Sequence, residues 1–238
     1  MDELFGTLFG NTPLSQQLMY LQMELGTAIW ETIYSTIVAT FFSYVIGLPL
    51  GVILVTGEKG GVRPLPGWLM KVLNTVVNLL RSVPFLILMV MVIPLSRMIL
   101  GTSVGTTASI IPLICAAFPF VARLVEASLR ETDKGILEAA QAMGCTPMQI
   151  IRKVMLPEAL PSLLIGFTTA FITILSYGAM SGAIGGGGLG SLAINYGYQR
   201  KMYFILYVSV VILVIMVQVF QSLGTCLLYT SDAADDKA

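Results

Sequence analysis

The 238-residue chain has no histidine, only three cysteines and few charged residues, 11% against about 25% in an average soluble domain. Without imidazole, serine or cysteine triads of the usual kind, His-ligated zinc or haem and the commonest general base are excluded unless another chain supplies them. Cys115, Cys145 and Cys226 are too scattered for a disulfide framework or a CxxC metal site, and read as small apolar fillers. Thirteen basic residues balance thirteen acidic ones, so no net positive charge is on offer to nucleic acid. No GxxxxGK[ST] stretch occurs, so the chain cannot cradle ATP phosphates in a P-loop. Gly185, Gly187 and Gly190 spell GxGxxG, but they follow a long apolar run instead of a strand in a βαβ unit, which excludes the dinucleotide reading. What the chain has in excess is apolar residues, 56% of the total, with a mean hydropathy of +0.86.

These residues are concentrated in runs long enough to cross a bilayer, for which about 20 residues suffice. Residues 32–57, 98–122, 159–199 and 202–231 carry no charge, and 72–95 is interrupted only by Arg81. Five membrane-spanning helices are predicted, at about 32–55, 74–96, 105–126, 160–180 and 203–226; in lipid such segments must be helical to satisfy their own backbone groups. The fold class is therefore an all-α membrane protein. Residues 1–28 are expected to form an interfacial arm, with Ser15 capping a turn that carries Leu18, Met19, Leu21 and Met23. Asp2 and Glu3 and the lack of a basic start argue against a secretory signal peptide.

Basic residues are retained on the cytoplasmic side of a membrane. The segments after the first and third spans hold eight of them: Lys59, Arg63, Lys71, Arg123, Arg130, Lys134, Arg152 and Lys153. The opposite side holds three, Arg97, Arg200 and Lys201. The N-terminus is thus expected outside and the C-terminus in the cytoplasm, with a segment at about 127–158 as the largest cytoplasmic surface. There, Asp133 or Thr132 can cap a helix whose apolar positions Ile136, Leu137, Ala140 and Met143 share one stripe, and Gly144 stands where a left-handed residue ends it. A second helix begins at once, with Thr146 as N-cap, Pro147 at its first position and Gln149 completing a capping box. The stripe has no obvious internal partner, which invites a partner protein.

Glu138-Ala139-Ala140, then Gly144, then Val154 and Leu156-Pro157, at that spacing, resemble the EAA loop of ATP-binding-cassette (ABC) importer permeases, where isoleucine takes the place of Val154. Further stretches, 81–85 (RSVPF), 142–150 (AMGCTPMQI), 156–161 (LPEALP) and 176–185 (SYGAMSGAIG), are similar to the methionine importer permeases, and the likeness extends from about Trp30 to Gly224. The resemblance implies the type I importer permease fold, with a domain over 29–226 and a coupling helix seated in a groove of a cytoplasmic ATPase. Glu138, Ala139, Ala140, Gly144, Leu156 and Pro157 would then serve ATPase coupling. It also implies a homodimer with two ATPase subunits that use ATP and Mg, and an extracytoplasmic methionine-binding (lipo)protein, in the bacterial inner membrane. No cofactor, metal or catalytic residue is expected on this chain. Another amino acid or a small peptide is the alternative substrate.

Candidate pathway residues are Arg81, Pro84, Ser176, Tyr177, Met180 and Ser181, with Asn195, Tyr196 and Tyr198 as further polar groups. An unpaired charge at the depth of Arg81 costs about 2.5–3.5 kcal/mol, so it either faces protein or water or snorkels to the headgroups. Pro84 loosens its helix, as Pro49, Pro94, Pro112 and Pro119 do theirs. Gly47 and Gly51 permit close packing on another helix, internal or from a second copy. Residues 182–190 read as a flexible glycine loop. The tail 227–238, with three aspartates and one lysine, lacks the basic cytoplasmic end such permeases carry and reads as non-native. A channel or secondary transporter would need coupling charges or an even division of its spans, and a membrane enzyme convergent acids and bases; neither is present.

Overall fold

The computed structural model describes the backbone of residues 12–235 and the side chains of residues 12–226, and the described residues are helical with turns between. The helices are α1 (Leu14–Thr56), α2 (Gly67–Ser82), α3 (Phe85–Leu100), α4 (Thr106–Arg130), α5 (Lys134–Ala142), α6 (Pro147–Ile150), α7 (Leu160–Ser181), α8 (Gly188–Ser191) and α9 (Tyr203–Asp235). Four of them, α1, α4, α7 and α9, are long and apolar enough to span a membrane.

Two expectations need correction. The second span is not one helix over 74–96: α2 and α3 meet at a bend of 109°. Pro84 drives the residue before it out of the helical region, and Val83 is extended, with φ −76° and ψ 128°. Pro84 itself, at φ −54° and ψ 133°, becomes the N-cap of α3, where its missing N–H costs nothing. From Leu14 onward, moreover, the expected interfacial arm is continuous with the first span, as 43 residues of one helix. No residue between 14 and 32 interrupts the ladder strongly, and Ser15 lies inside the helix instead of capping it. Residues 1–11 of the arm, and the side chains of the 227–238 tail, lie outside the described residues.

The chain forms two compact units. The first contains residues 12–40, Pro84–Cys115 and Phe171–Phe220. Its core joins Leu21 and Ala28 of α1 to Leu189, Leu192, Met202 and Ile205. The glycine segment is ordered, contrary to the flexible loop expected. Gly182–Ile184 forms one 3-10 turn, Gly185 is left-handed at φ +88°, and Gly188 opens α8. The Glu31 carboxylate accepts the Gly188 N–H at 2.7 Å, and the Thr32 hydroxyl accepts that of Leu189 at 2.9 Å. These two side chains satisfy donors that so short a helix leaves open. Glu31→Ala strands the Gly188 donor and is expected to cost about 1–3 kcal/mol, whereas Glu31→Gln, whose amide oxygen still accepts, costs less. Thermal unfolding of the purified protein in detergent checks that order.

The second unit contains Phe41–Val83, Ala116–Ala170 and residues from 221 on. Here the partner of the Gly47/Gly51 pair is internal: a Cβ at 47 would strike Val121 and the Phe118 carbonyl, and one at 51 the Ala122 carbonyl and Val125, all on α4. Val121, Val125 and Leu129 of α4 continue this packing into a core with Ala140, Ile150, Ile151, Met155, Ala159 and Ala170. A smaller cluster sets Leu54 and Ala122 against Met70 and Val77 of α2.

Candidate functional site

The loop between α4 and α7 is shaped by its capping residues. Asp133, not Thr132, caps α5, its carboxylate accepting the Gly135 N–H at 2.5 Å. At the far end Gly144 is left-handed, φ +77°, and its N–H reaches the Gln141 carbonyl at 2.9 Å while that of Cys145 returns to Ala140 at 3.2 Å. This closes the helix as a left-handed glycine does. Thr146 and Gln149 form the predicted capping box around Pro147. The helix then widens into a π turn, Ile151–Met155, and continues through Leu156–Glu158. Pro157 brings no N–H of its own, and a π turn is a common way to absorb such a gap in the ladder.

The apolar stripe is only partly free. Ala140 is buried in the α4 core and Leu137 packs against it, so half the stripe is internal. Burial of Ile150, at 1% exposure, adds about 1.5–3 kcal/mol to this docking. What remains outside is Ile136, Met143 and Met148, at 42%, 76% and 49% exposure, beside exposed Ala139 and Gly144. Glu138 is exposed at the edge of a cavity of about 310 Å³ that α5 forms with the turn at Gly60 and Gly61. Leu156 is half-buried on the core and Pro157 exposed.

Beneath the loop lies an ion network that the sequence reading did not assemble. Glu126 of α4, nearly buried, pairs with Arg123 through one carboxylate oxygen and with Arg130 through the other. A buried carboxylate needs such partners to stay charged. Arg123 also donates to Asn74 and Asn78 of α2, and Arg130 to Glu58 beyond α1.

Of the pathway candidates, Ser176 and Met180 are one turn apart on α7 and line a cavity of about 500 Å³ in the first unit, with Gly190, Ala193, Ile194 and Leu213 among its mostly apolar walls. Tyr177 does not line it; its ring stacks on Phe85 with centroids 4.1 Å apart. Nor does Ser181, which is buried and donates to the Gly178 carbonyl at 2.6 Å. Asn195 is tied to Ser191, and Tyr196 packs against Tyr20 under the Arg200 guanidinium. Arg81 is exposed on the last turn of α2 in the second unit, and Pro84 sits at the bend. Gln218 also lines the cavity and was missed; an amide, with Gln221 the second, in a span as apolar as α9 was the signal available. Among the described residues no group of three or more Cys, Asp or Glu side chains is placed to hold a metal.

An all-helical chain with these spans, and with a doubly capped glycine elbow between two of them, has the fold of a type I ABC importer permease. Residues 47–232 match the model of the binding-protein-dependent transport system inner membrane component, and the chain belongs to that family. It is 51% identical over 207 residues to a probable D-methionine transport system permease protein MetI of Vibrio cholerae, covering 87% of this chain and 91% of that one. With the D-methionine transport system permease protein MetI of Escherichia coli K12 it shares 46% over 169 residues, 71% of this chain and 76% of the other. Among solved structures, an inward-facing MetNI methionine ABC transporter superposes with a TM-score of 0.86 at 44% identity, over 89% of this chain and 97% of that one. An amino acid ABC transporter crystallised with histidines shares the fold, with a TM-score of 0.74 at 20% identity over 92% and 99% of the two chains.

Proposed function

We propose that the chain is the membrane subunit of an ATP-driven importer, and that it carries methionine handed over by an extracytoplasmic binding protein. It works as a homodimer with two ATPase subunits, which bind and hydrolyse ATP with Mg. The observation that carries this reading is the loop at 127–158. Its buried side is anchored on α4, its free side is an apolar strip of Ile136, Ala139, Met143 and Met148, and its two helices are held at a fixed angle by Gly144. A rigid, apolar and uncovered elbow of this kind suits a groove on a partner.

The excess of basic residues supports a cytoplasmic position for this loop, with the N-terminus outside and the C-terminus inside. ATP binding brings the ATPases together and draws the two elbows with them, opening the pathway outward to receive methionine; hydrolysis returns it inward. Ser176 and Met180 line that pathway in each copy, an apolar wall suited to a thioether side chain. Tyr177 acts from behind, its ring stacked on Phe85 of α3, and Ser181 closes the last turn of α7 through the Gly178 carbonyl. The names of the relatives support methionine over another amino acid or a small peptide.

Uptake of radiolabelled methionine by a bacterial auxotroph lacking its own methionine transport tests the reading. Uptake is expected when this chain is produced with its ATPase and binding protein and absent when either is left out. Uptake by the chain alone would overturn the proposal.

A further inference from the structure

The network around Glu126 does more than neutralise a buried charge, because each arginine holds a second segment of the chain as well. Arg123 Nη1 pairs with Glu126 Oε2, and its Nη2 donates to Asn74 Oδ1 and Asn78 Oδ1, both at 2.8 Å. These asparagines are one turn apart on α2, so their carbonyls present a two-oxygen seat to one guanidinium nitrogen. Arg130 donates through Nε and Nη2 to Glu126 Oε1, at 3.3 and 2.8 Å. It also grips Glu58 with two bonds, Nη1 to Oε2 at 3.2 Å and Nη2 to Oε1 at 2.5 Å. The Glu126 side chain is 8% exposed and that of Arg123 18%, so their pairing is no loose surface contact; the Arg130–Glu58 arm and the bond to Asn78 are open to solvent, that to Asn74 part-buried.

The position of the network in the chain gives it a direction. Arg130 is the last residue of α4, three residues before the Asp133 cap of α5. Glu58 belongs to the turn whose Gly60 and Gly61 form the cavity wall facing Glu138 of α5. Asn74 and Asn78 lie on α2, which ends at the bend where Arg81 and Pro84 stand. The loop at 127–158, the turn at 58–61 and α2 are thus all fastened to one stretch of α4, within one compact unit. Long polar side chains with several fixed bonds transmit displacement, since parting Arg123 or Arg130 from Glu126 leaves a nearly buried carboxylate with fewer partners.

We propose that Arg123, Glu126 and Arg130 are positioning residues that carry the movement of the ATPase-docked loop to α2 and to the bend at Val83–Pro84. The proposal rests on the coupling reading above and adds the route by which force leaves the loop. Arg130 fastens the loop's base to the Glu58 turn, and Arg123 fastens the same helix to α2. Severing the second tie leaves the loop, its docking surface and the Glu126 pairings in place, while α2 keeps only the apolar packing of Met70 and Val77 on Leu54 and Ala122 and follows less closely.

The experiment uses the assembled transporter in proteoliposomes and reads methionine taken up per ATP hydrolysed. Asn74→Leu with Asn78→Leu removes both acceptors without touching a charge. The complex is expected to assemble and to hydrolyse ATP near the wild-type rate, with uptake per ATP lowered about tenfold. Asn78→Asp in the Asn74→Leu background restores one acceptor oxygen and is expected to recover most of the ratio, which a purely structural defect would not. A ratio within twofold of wild type in the double leucine variant overturns the proposal, as does failure of the Asp variant to recover it. Should the double leucine variant not assemble, Asn74→Ala with Asn78→Ala, which also removes both acceptors, takes its place and is read against the same limits. Wild-type complex in the same preparation keeps the two readings apart. If it shows no ATP-driven uptake, the importer assignment fails; if only the variants behave as wild type, the tie fails alone.

Discussion

Gly144→Val is expected to abolish transport while leaving the protein inserted and folded. At φ +77° an L side chain is strained by about 1–2 kcal/mol, and a β-branched one by more. Nothing lies within 4 Å of the place where a Cβ would sit, so no neighbour needs to move and the whole effect falls on the backbone of the elbow. Relieving the strain swings α6 relative to α5 and splits Met148 from Ile136, Ala139 and Met143 in the free strip. Uptake is expected to drop more than about tenfold, the loss of roughly 1.4 kcal/mol or more of coupling, with ATP hydrolysis continuing. Asn tolerates the left-handed region better than other side chains, so Gly144→Asn should retain transport and Gly144→Ala fall between. Uptake and ATPase rates on the three variants check the order; transport by Gly144→Val at the wild-type level removes the elbow from the mechanism.

Gly190→Ala is expected to act at the level of folding. A Cβ there would run into the carbonyl group of Ala179 on α7, and the fit is mutual, since a Cβ at Gly182 would strike the backbone of Gly190 and Ser191. These are backbone contacts and cannot be relieved by a rotamer change, so α7 and α8 must separate. A cost of about 3 kcal/mol or more follows from overpacking of this kind, enough to remove most folded protein from the membrane fraction. Gly178→Ala, two residues before Met180 on the same helix, is the control: no atom of a neighbouring element lies within 4 Å of its added methyl, and a helical Gly→Ala change stabilises by about 0.5–1 kcal/mol. Fluorescence-detected size-exclusion yields of the two variants test the contrast directly. Equal yields would mean that the turn is looser than the packing around Gly182 and Gly190 implies.

The elements that local chemistry dictates could be read from the residues alone. Four of the spans, the caps at Asp133 and Thr146 and the left-handed Gly144 each depend on a few adjacent side chains, and each is found where expected. The bend at Pro84 was read too weakly, as a loosening. Lys71, Asn74, Asn78 and Arg81 recur at helical spacing, so α2 has a polar stripe unlike a lipid-buried span, and with Pro84 it marks a break. The Glu126 network and the Glu31 clamp were hidden for another reason. Arg123 and Arg130 flank Glu126 at helical spacing, but the ties to Asn74, Asn78 and Glu58 and the Glu31 clamp join residues 45 to 157 positions apart, and an isolated Glu or Arg gives no sign of which distant group will meet it. The glycine segment misled because glycine permits both flexibility and close approach, and only the packed neighbours tell the two apart.

The assignment as an ATP-driven methionine importer is tested most directly by accumulation in sealed proteoliposomes that contain this chain with its ATPase subunit, with binding protein and labelled methionine outside and MgATP inside. Accumulation above the external concentration is expected only when ATP, binding protein and ATPase are all present, and it should stop when any one is omitted. Equilibration of methionine across vesicles that contain this chain alone, or accumulation indifferent to ATP, would contradict the account.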